Sequence, residues 1–153
     1  MLKRACSICS SICSISSLSK TLDLFGGTGA ISYELASRGA ADLTIIEKDT
    51  NMFAFIRNTV KQLGLDQIHP VKSDVFRFME SCGAQYDFIF AGPPYALQQI
   101  DDLPLYVFRF SLLRPGGVFV LEHTPRNDYQ THPNFFRMKN YWYNRILLFQ
   151  TFK

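Results

Sequence analysis

The chain has little charge and no long apolar run. Asp, Glu, Lys and Arg make up 19% of its 153 residues. No stretch approaches the ~20 continuous apolar residues that a membrane-spanning helix needs, which excludes a helical span. Cysteine is scarce: four residues, with Cys6, Cys9 and Cys13 clustered and Cys82 alone. This is no disulfide framework, and it points to a reducing compartment, the cytoplasm. The cluster has no nearby fourth Cys or His to complete a zinc site, and His69, His123 and His132 show no ligand spacing, so no metal is expected. No internal repeat is visible. Hydrophobic side chains are abundant at 47%. They are enough to exclude disorder as the main state and to fill the core of one domain. The net charge of +3 permits a nucleic-acid partner without demanding one.

The first twenty residues, MLKRACSICSSICSISSLSK, contain no acid. Serines interrupt them too often for the apolar core of a secretory signal, and they lack the amphipathic period of a transit peptide. Residues 1–20 read as a low-complexity leader, poorly ordered or partly helical. Residues 21–153 read as the folded domain, without an internal linker.

From residue 21 onward, strand and helix patterns alternate. Strands are expected at 21–25, 43–46, 68–72, 86–91 and 118–122, with Pro70 weakening the third. Helices are expected at 31–38, 51–63, 75–82 and 103–113. Gly39 and Gly64 stop the first two. The aromatic, β-rich tail 135–152 turns around Tyr143-Asn144 as a closing antiparallel hairpin. Such alternation with short loops predicts an α/β fold with a doubly wound, mostly parallel sheet.

Four segments carry chemistry. Asp23-Leu-Phe-Gly-Gly-Thr-Gly-Ala30 leaves a strand and enters a helix. Its glycines allow close backbone approach to a ligand at the carboxyl ends of parallel strands. Gly27-x-Gly29 is followed by Ser32 rather than the third glycine of a dinucleotide fingerprint, which argues against a nicotinamide dehydrogenase. Glu47 ends the second strand, eighteen residues beyond Gly29, where an acid can accept from both ribose hydroxyls. Asp74 follows the third strand, placed to meet an adenine amino group, to cap the helix starting at Val75, or both. Gly92-Pro93-Pro94-Tyr95 follows the fourth strand: the prolines stiffen the loop, and the tyrosine offers a face for stacking a flat base. Arg126, Arg137, Lys139, Arg145 and Lys153 outnumber the single acid Asp128 in the tail and are interleaved with Tyr141, Trp142 and Tyr143. This pattern suits RNA binding or ordinary solvated strand charges.

Together these segments resemble the Rossmann-like S-adenosylmethionine-dependent methyltransferases. The Pro-Pro-Tyr loop resembles the (Asp/Asn)-Pro-Pro-(Tyr/Phe) loop of those that methylate exocyclic amines of bases. The chain is similar in particular to the RsmD family of bacterial 16S rRNA guanine-N2 methyltransferases. The similarity runs through DLFGGTGAISYELASRGA, Ile46-Glu47-Lys48, Ser73-Asp74-Val75-Phe76, Tyr86-Asp-Phe-Ile-Phe-Ala91 and Leu113-Arg-Pro-Gly-Gly117 into Glu122. The resemblance implies a seven-stranded sheet and S-adenosylmethionine as cofactor. It implies cofactor contacts from Asp23, Phe25, Gly26, Gly27, Gly29, Glu47, Lys48, Asp74, Val75 and Ala91. It implies catalysis at Gly92, Pro93, Pro94 and Tyr95, and 16S rRNA or the small ribosomal subunit as partner. Nothing in the sequence calls for an oligomer, so a monomer is expected.

Two departures bear on activity. The family has an acid before the two prolines where this chain has Gly92, and its longer basic N-terminal segment is not matched. Loss of a carboxylate beside the reacting amine is expected to impair transfer by roughly 10²–10³-fold. On the loop pattern alone, Gly92→Asp is expected to raise transfer at least about tenfold. The other readings are methylation of another amine, adenine N6 or a protein glutamine, and a catalytically silent cofactor-binding remnant.

Overall fold

The computed structural model describes residue 8 and residues 19–124, 128–141 and 144–151. The chain alternates from its first strand: β1 (Lys20–Asp23), α1 (Ala30–Ser37), β2 (Asp42–Glu47), α2 (Thr50–Leu63), β3 (Ile68–Lys72), α3 (Val75–Ser81), β4 (Tyr86–Ala91), α4 (Asp102–Arg109), β5 (Leu113–His123), β6 (Phe135–Tyr141) and β7 (Asn144–Gln150). One seven-stranded sheet results, in the order β3-β2-β1-β4-β5-β7-β6. The first five strands pair in parallel, and β7 inserts antiparallel between β5 and β6. The expected doubly wound sheet with its closing hairpin is the fold observed.

Alternating side chains fill two core layers, one on each face of the sheet. Leu22, Ile46, Ile89, Phe119, Leu121 and Phe149 point to one. Leu43, Ile45, Phe88, Phe90, Val118 and Val120 point to the other, where Ile8 is also buried. Residues 1–7 and 9–18 of the leader lie outside the described residues, as do Arg126, Trp142, Tyr143 and Lys153, while its last residue, Lys20, begins β1.

Local chemistry sets the element ends. The Asp49 carboxylate accepts from the Met52 amide at 2.9 Å, and Gly64 closes α2 with φ 61°. Pro70 lies in β3, the sheet edge, where a missing N–H is tolerated. Away from the site, Asp87 ties three strands together, accepting from Ser19 Oγ at 2.6 Å, Lys20 N at 2.9 Å and Arg114 Nη1 at 3.0 Å.

The span expected as helix 103–113 divides differently. Helix α4 ends at Arg109 and β5 begins at Leu113. Ser111 takes φ 52°, and the Leu112 amide turns back to the Val107 carbonyl at 3.0 Å. Full burial of Leu112 outweighs helical periodicity there. Strand β5 therefore includes Arg-Pro-Gly-Gly, with a register shift opposite Tyr86 and Phe88.

Candidate active site

The strand order reverses between β1 and β4, and the crevice at their carboxyl ends is where open α/β sheets take ligands. Four segments converge there: the glycine loop after β1, the ends of β2 and β3, and the loop after β4.

The glycine loop is held by its own backbone and by Glu47. The Gly26 amide donates to the Ile46 carbonyl, and the Gly29 amide to the Gly26 carbonyl, both at 2.8 Å. Gly27 and Gly29 take φ values of 54° and 84°, a region that disfavours residues with a Cβ. A Cβ on Gly26 would lie 2.8 Å from the Ile45 side chain, so this glycine permits close packing of the loop on β2. The Glu47 carboxylate accepts from the Gly27 amide through Oε2 and from the Asp49 amide through Oε1, each at 2.8 Å. A carboxylate has about four acceptor sites, so these two bonds fix its position and leave acceptor capacity.

Asp23 stands behind the loop, 1% exposed. Its Oδ2 accepts from Ser32 Oγ at 2.8 Å, while Oδ1 has no hydrogen-bond partner among the described residues. Burial pushes its pKa up to about 7, against smaller opposing effects of Ser32 and the Phe25 backbone. Asp74 caps α3, accepting from the Phe76 and Arg77 amides at 3.1 and 3.3 Å. Its other oxygen lies 3.4 Å from Lys48 Nζ. Burial raises the Asp74 pKa, but the Arg77 amide, Lys48 and the Phe76 amide outweigh it and hold the carboxyl below its usual range.

A cavity of about 660 Å³ opens over these residues, lined by Phe25, Glu47, Lys48, Asp49, Thr50, Asp74, Val75, Phe76, Pro94, Leu97 and Gln99. Six of the residues singled out from the sequence meet in it: Phe25, Glu47, Lys48, Asp74, Val75 and Pro94. A second cavity of about 350 Å³ is lined by Pro93, Pro94, Tyr95, Leu97, Ile100, His123 and Thr124. The two share Pro94 and Leu97. Gly26, Gly27, Gly29 and Ala91 line neither and shape the loop and strand beneath; Asp23 and Gly92 likewise stand behind the walls.

Three residues without an expected function stand at or behind the smaller cavity. His123 lines the smaller cavity yet is only 2% exposed. Neither ring nitrogen has a partner among the described residues. Burial pushes its pKa down, which favours the neutral imidazole, with one donor and one acceptor. Buried Glu122 accepts from Asn144 Nδ2 at 2.8 Å, and Asn144 Nδ2 lies 3.2 Å from the Tyr95 hydroxyl. Sequence patterning gives Glu122 and His123 only as a strand end and Asn144 only as a turn residue. Their convergence depends on β5 and β7 being neighbours, which no local signal reports.

An acid at the β2 tip, a second acid after β3, apolar walls from Phe25, Val75 and Phe76, and a stiff Pro-Pro-Tyr loop fit a nucleoside-bearing sulfonium cofactor. With the strand order above, they form a Rossmann-like α/β domain of the methyltransferase fold. The chain belongs to the RsmD family: the model described as Conserved hypothetical protein 95 matches residues 9–149. It is 24% identical over 117 residues to the Ribosomal RNA small subunit methyltransferase D of Buchnera aphidicola, covering 76% of this chain and 60% of that protein. The chain thus spans less than two thirds of the length of that relative. Among solved structures, yhhF of Escherichia coli superposes with a TM-score of 0.89 at 22% identity, covering 98% of this chain and 86% of that one. The magnesium protoporphyrin IX methyltransferase ChlM of Synechocystis PCC 6803, solved with bound SAM, superposes with a TM-score of 0.73 at 16% identity, covering 98% and 79%. No helix among the described residues is long and apolar enough to cross a membrane.

Proposed function

We propose that this chain is an S-adenosylmethionine-dependent methyltransferase acting on the exocyclic N2 of a guanine in 16S rRNA, presented on the small ribosomal subunit. The observation that carries this reading is the junction of two cavities at Pro94 and Leu97, one of cofactor size and one beside Pro93-Pro94-Tyr95. The amine specificity and the ribosomal target rest on family membership.

Within the larger cavity, Glu47 would accept from the ribose hydroxyls, while Val75, Phe76 and Phe25 would enclose the adenine against water and Asp74 would meet its amino group. S-adenosylmethionine held there would supply an electrophilic methyl on sulfur, the new C–N bond replacing the C–S bond and the amine proton passing to water. The protein's part is position and electrostatics. A guanine must leave its stack to reach the loop. Pro93 and Pro94 fix the loop carbonyls, the Gly92 carbonyl accepts from the amine, and Tyr95, 72% exposed, stacks on the extruded base. His123 offers the base edge a hydrogen bond from the cavity wall. Arg137 and Lys139, exposed on the edge strand β6, are positioned for phosphates.

Transfer of labelled methyl from S-adenosylmethionine to unmodified small ribosomal subunits tests this reading. Label is expected in a single guanine, as N2-methylguanine after digestion. Label in adenine or in ribosomal protein, or no transfer by a chain that binds S-adenosylhomocysteine, overturns the guanine assignment.

A further inference from the structure

The loop after β4 has no carboxylate at residue 92, yet one reaches this loop from the neighbouring strand. A Cβ built on Gly92 would lie 3.6 Å from Glu122 Oε2, and 3.1 Å from the Phe90 ring. The register explains it. Ala91 pairs with Leu121 across the parallel β4 and β5, so residues 92 and 122 come next in step. Strand alternation sends both side-chain positions to the face that carries Phe90 and Val120. Glu122 is 5% exposed, and its Oε1 accepts from Asn144 Nδ2 at 2.8 Å. Asn144 reaches on to the Tyr95 hydroxyl at 3.2 Å. A buried acid on β5 is therefore connected to the exposed ring of the loop through one amide on β7.

We propose that Glu122 is the acid of this loop, delivered from β5 rather than from residue 92. It is a positioning residue that holds Tyr95 through Asn144 and places a carboxylate where a side chain at residue 92 would place one. Glycine at 92 then follows from the packing, because an acid there would crowd both Phe90 and a carboxylate already present. The catalytic consequence rests on the methyltransferase reading; the geometry does not. It also reverses the outcome that the loop pattern alone gives for Gly92→Asp, which by itself brings no gain in transfer.

The geometric claim is tested by melting Gly92→Ala, Gly92→Asp, Glu122→Gln and the two double variants. Gly92→Ala reports the cost of a Cβ alone. Gly92→Asp is expected to melt below Gly92→Ala, and Glu122→Gln to raise the melting temperature of Gly92→Asp but not of Gly92→Ala. Additive shifts throughout overturn the shared position. The brace is tested by NMR of ¹³C-tyrosine-labelled protein. Asn144→Ala and Glu122→Ala are each expected to shift or broaden the Tyr95 ring signals, and unchanged signals in both overturn it.

In methyl transfer, Glu122→Gln is expected to lower kcat by about tenfold or more, with S-adenosylhomocysteine affinity unchanged. The Gly92→Asp/Glu122→Gln double variant is expected to recover most of that loss by moving the carboxylate onto the loop. Wild-type kcat in Glu122→Gln, or no recovery in the double variant, overturns the catalytic role. A wild-type chain that binds S-adenosylhomocysteine but transfers no methyl instead counts against the proposed function, while melting and NMR still decide the geometry.

Discussion

Ser32 donates to Asp23 at 2.8 Å, joining the first turn of α1 to the end of β1, with both residues buried. The bond spans the glycine loop and holds its two ends together. It also lowers the pKa of an acid that burial pushes up to about 7. The unfolded chain binds fewer protons than the folded chain between pH about 3.8 and about 7, so this group makes stability fall as pH rises through that window. Asp23→Asn is expected to flatten that part of the profile. Ser32→Ala is expected to cost about 1–3 kcal/mol and to extend the decline to higher pH. Denaturant melts across pH check both.

Glu47 binds the glycine loop before it binds any ligand. Its two bonds to the Gly27 and Asp49 amides preorganise the acceptor for a ribose. Glu47→Ala is expected to weaken S-adenosylhomocysteine binding roughly 10–100-fold, the effect of losing hydrogen bonds to a charged group. Calorimetric titration measures this. Equal affinity in the variant would place the cofactor elsewhere.

Gly29 and Gly27 both take positive φ, but their surroundings differ. A Cβ on Gly29 would overlap the Tyr33 side chain, whereas a Cβ on Gly27 meets nothing within 4 Å. Gly27→Ala is expected to cost about 1 kcal/mol for the left-handed backbone alone. Gly29→Ala is expected to cost more, because the Tyr33 ring must also move. Chemical denaturation of the pair checks the order, and a milder effect at Gly29 would contradict it.

Asp74 joins structure to the cavity. Asp74→Ala removes the cap of α3 and is expected to cost about 1 kcal/mol. Its folded pKa lies below the usual value, so its contribution is present above the unfolded pKa and is lost as pH falls through the folded one. The difference in stability between wild type and Asp74→Ala is expected to shrink in acid. Asp74→Asn is expected to keep much of the cap while losing the ion pair with Lys48, which thermal melts at two salt concentrations separate.

Much of this fold is legible in local sequence because the signals are local. Short apolar runs mark β2 and β4, one apolar helical face and Gly64 mark α2, and the glycine run after β1 marks the strand-to-helix turn. The boundary of α4 is not legible in this way. Residues 110–113 fit helical periodicity, and only the demand of the core for Leu112 and Leu113 turns them toward β5. Pro70 reads as a weakness until β3 is seen at the sheet edge, where its missing donor costs nothing in pairing.

The candidate site divides along the same line. Glu47, Asp74 and the Gly92-Pro93-Pro94-Tyr95 loop stand out because each follows a strand end, and a parallel sheet brings such ends together. Glu122, His123 and Asn144 carry no motif. Glu122 and His123 reach the loop because β5 pairs with β4, and Asn144 because β7 inserts antiparallel against β5, contacts between residues distant in sequence. The amino-acid sequence by itself determined the parallel α/β pattern, the glycine loop and the chemistry of each strand tip, because these depend on periodicity and neighbouring residues. Only the tertiary structure decided which strands are neighbours, and so which buried side chains stand behind the loop. Strand pairing is a global choice made by burial and register, and no short segment encodes it.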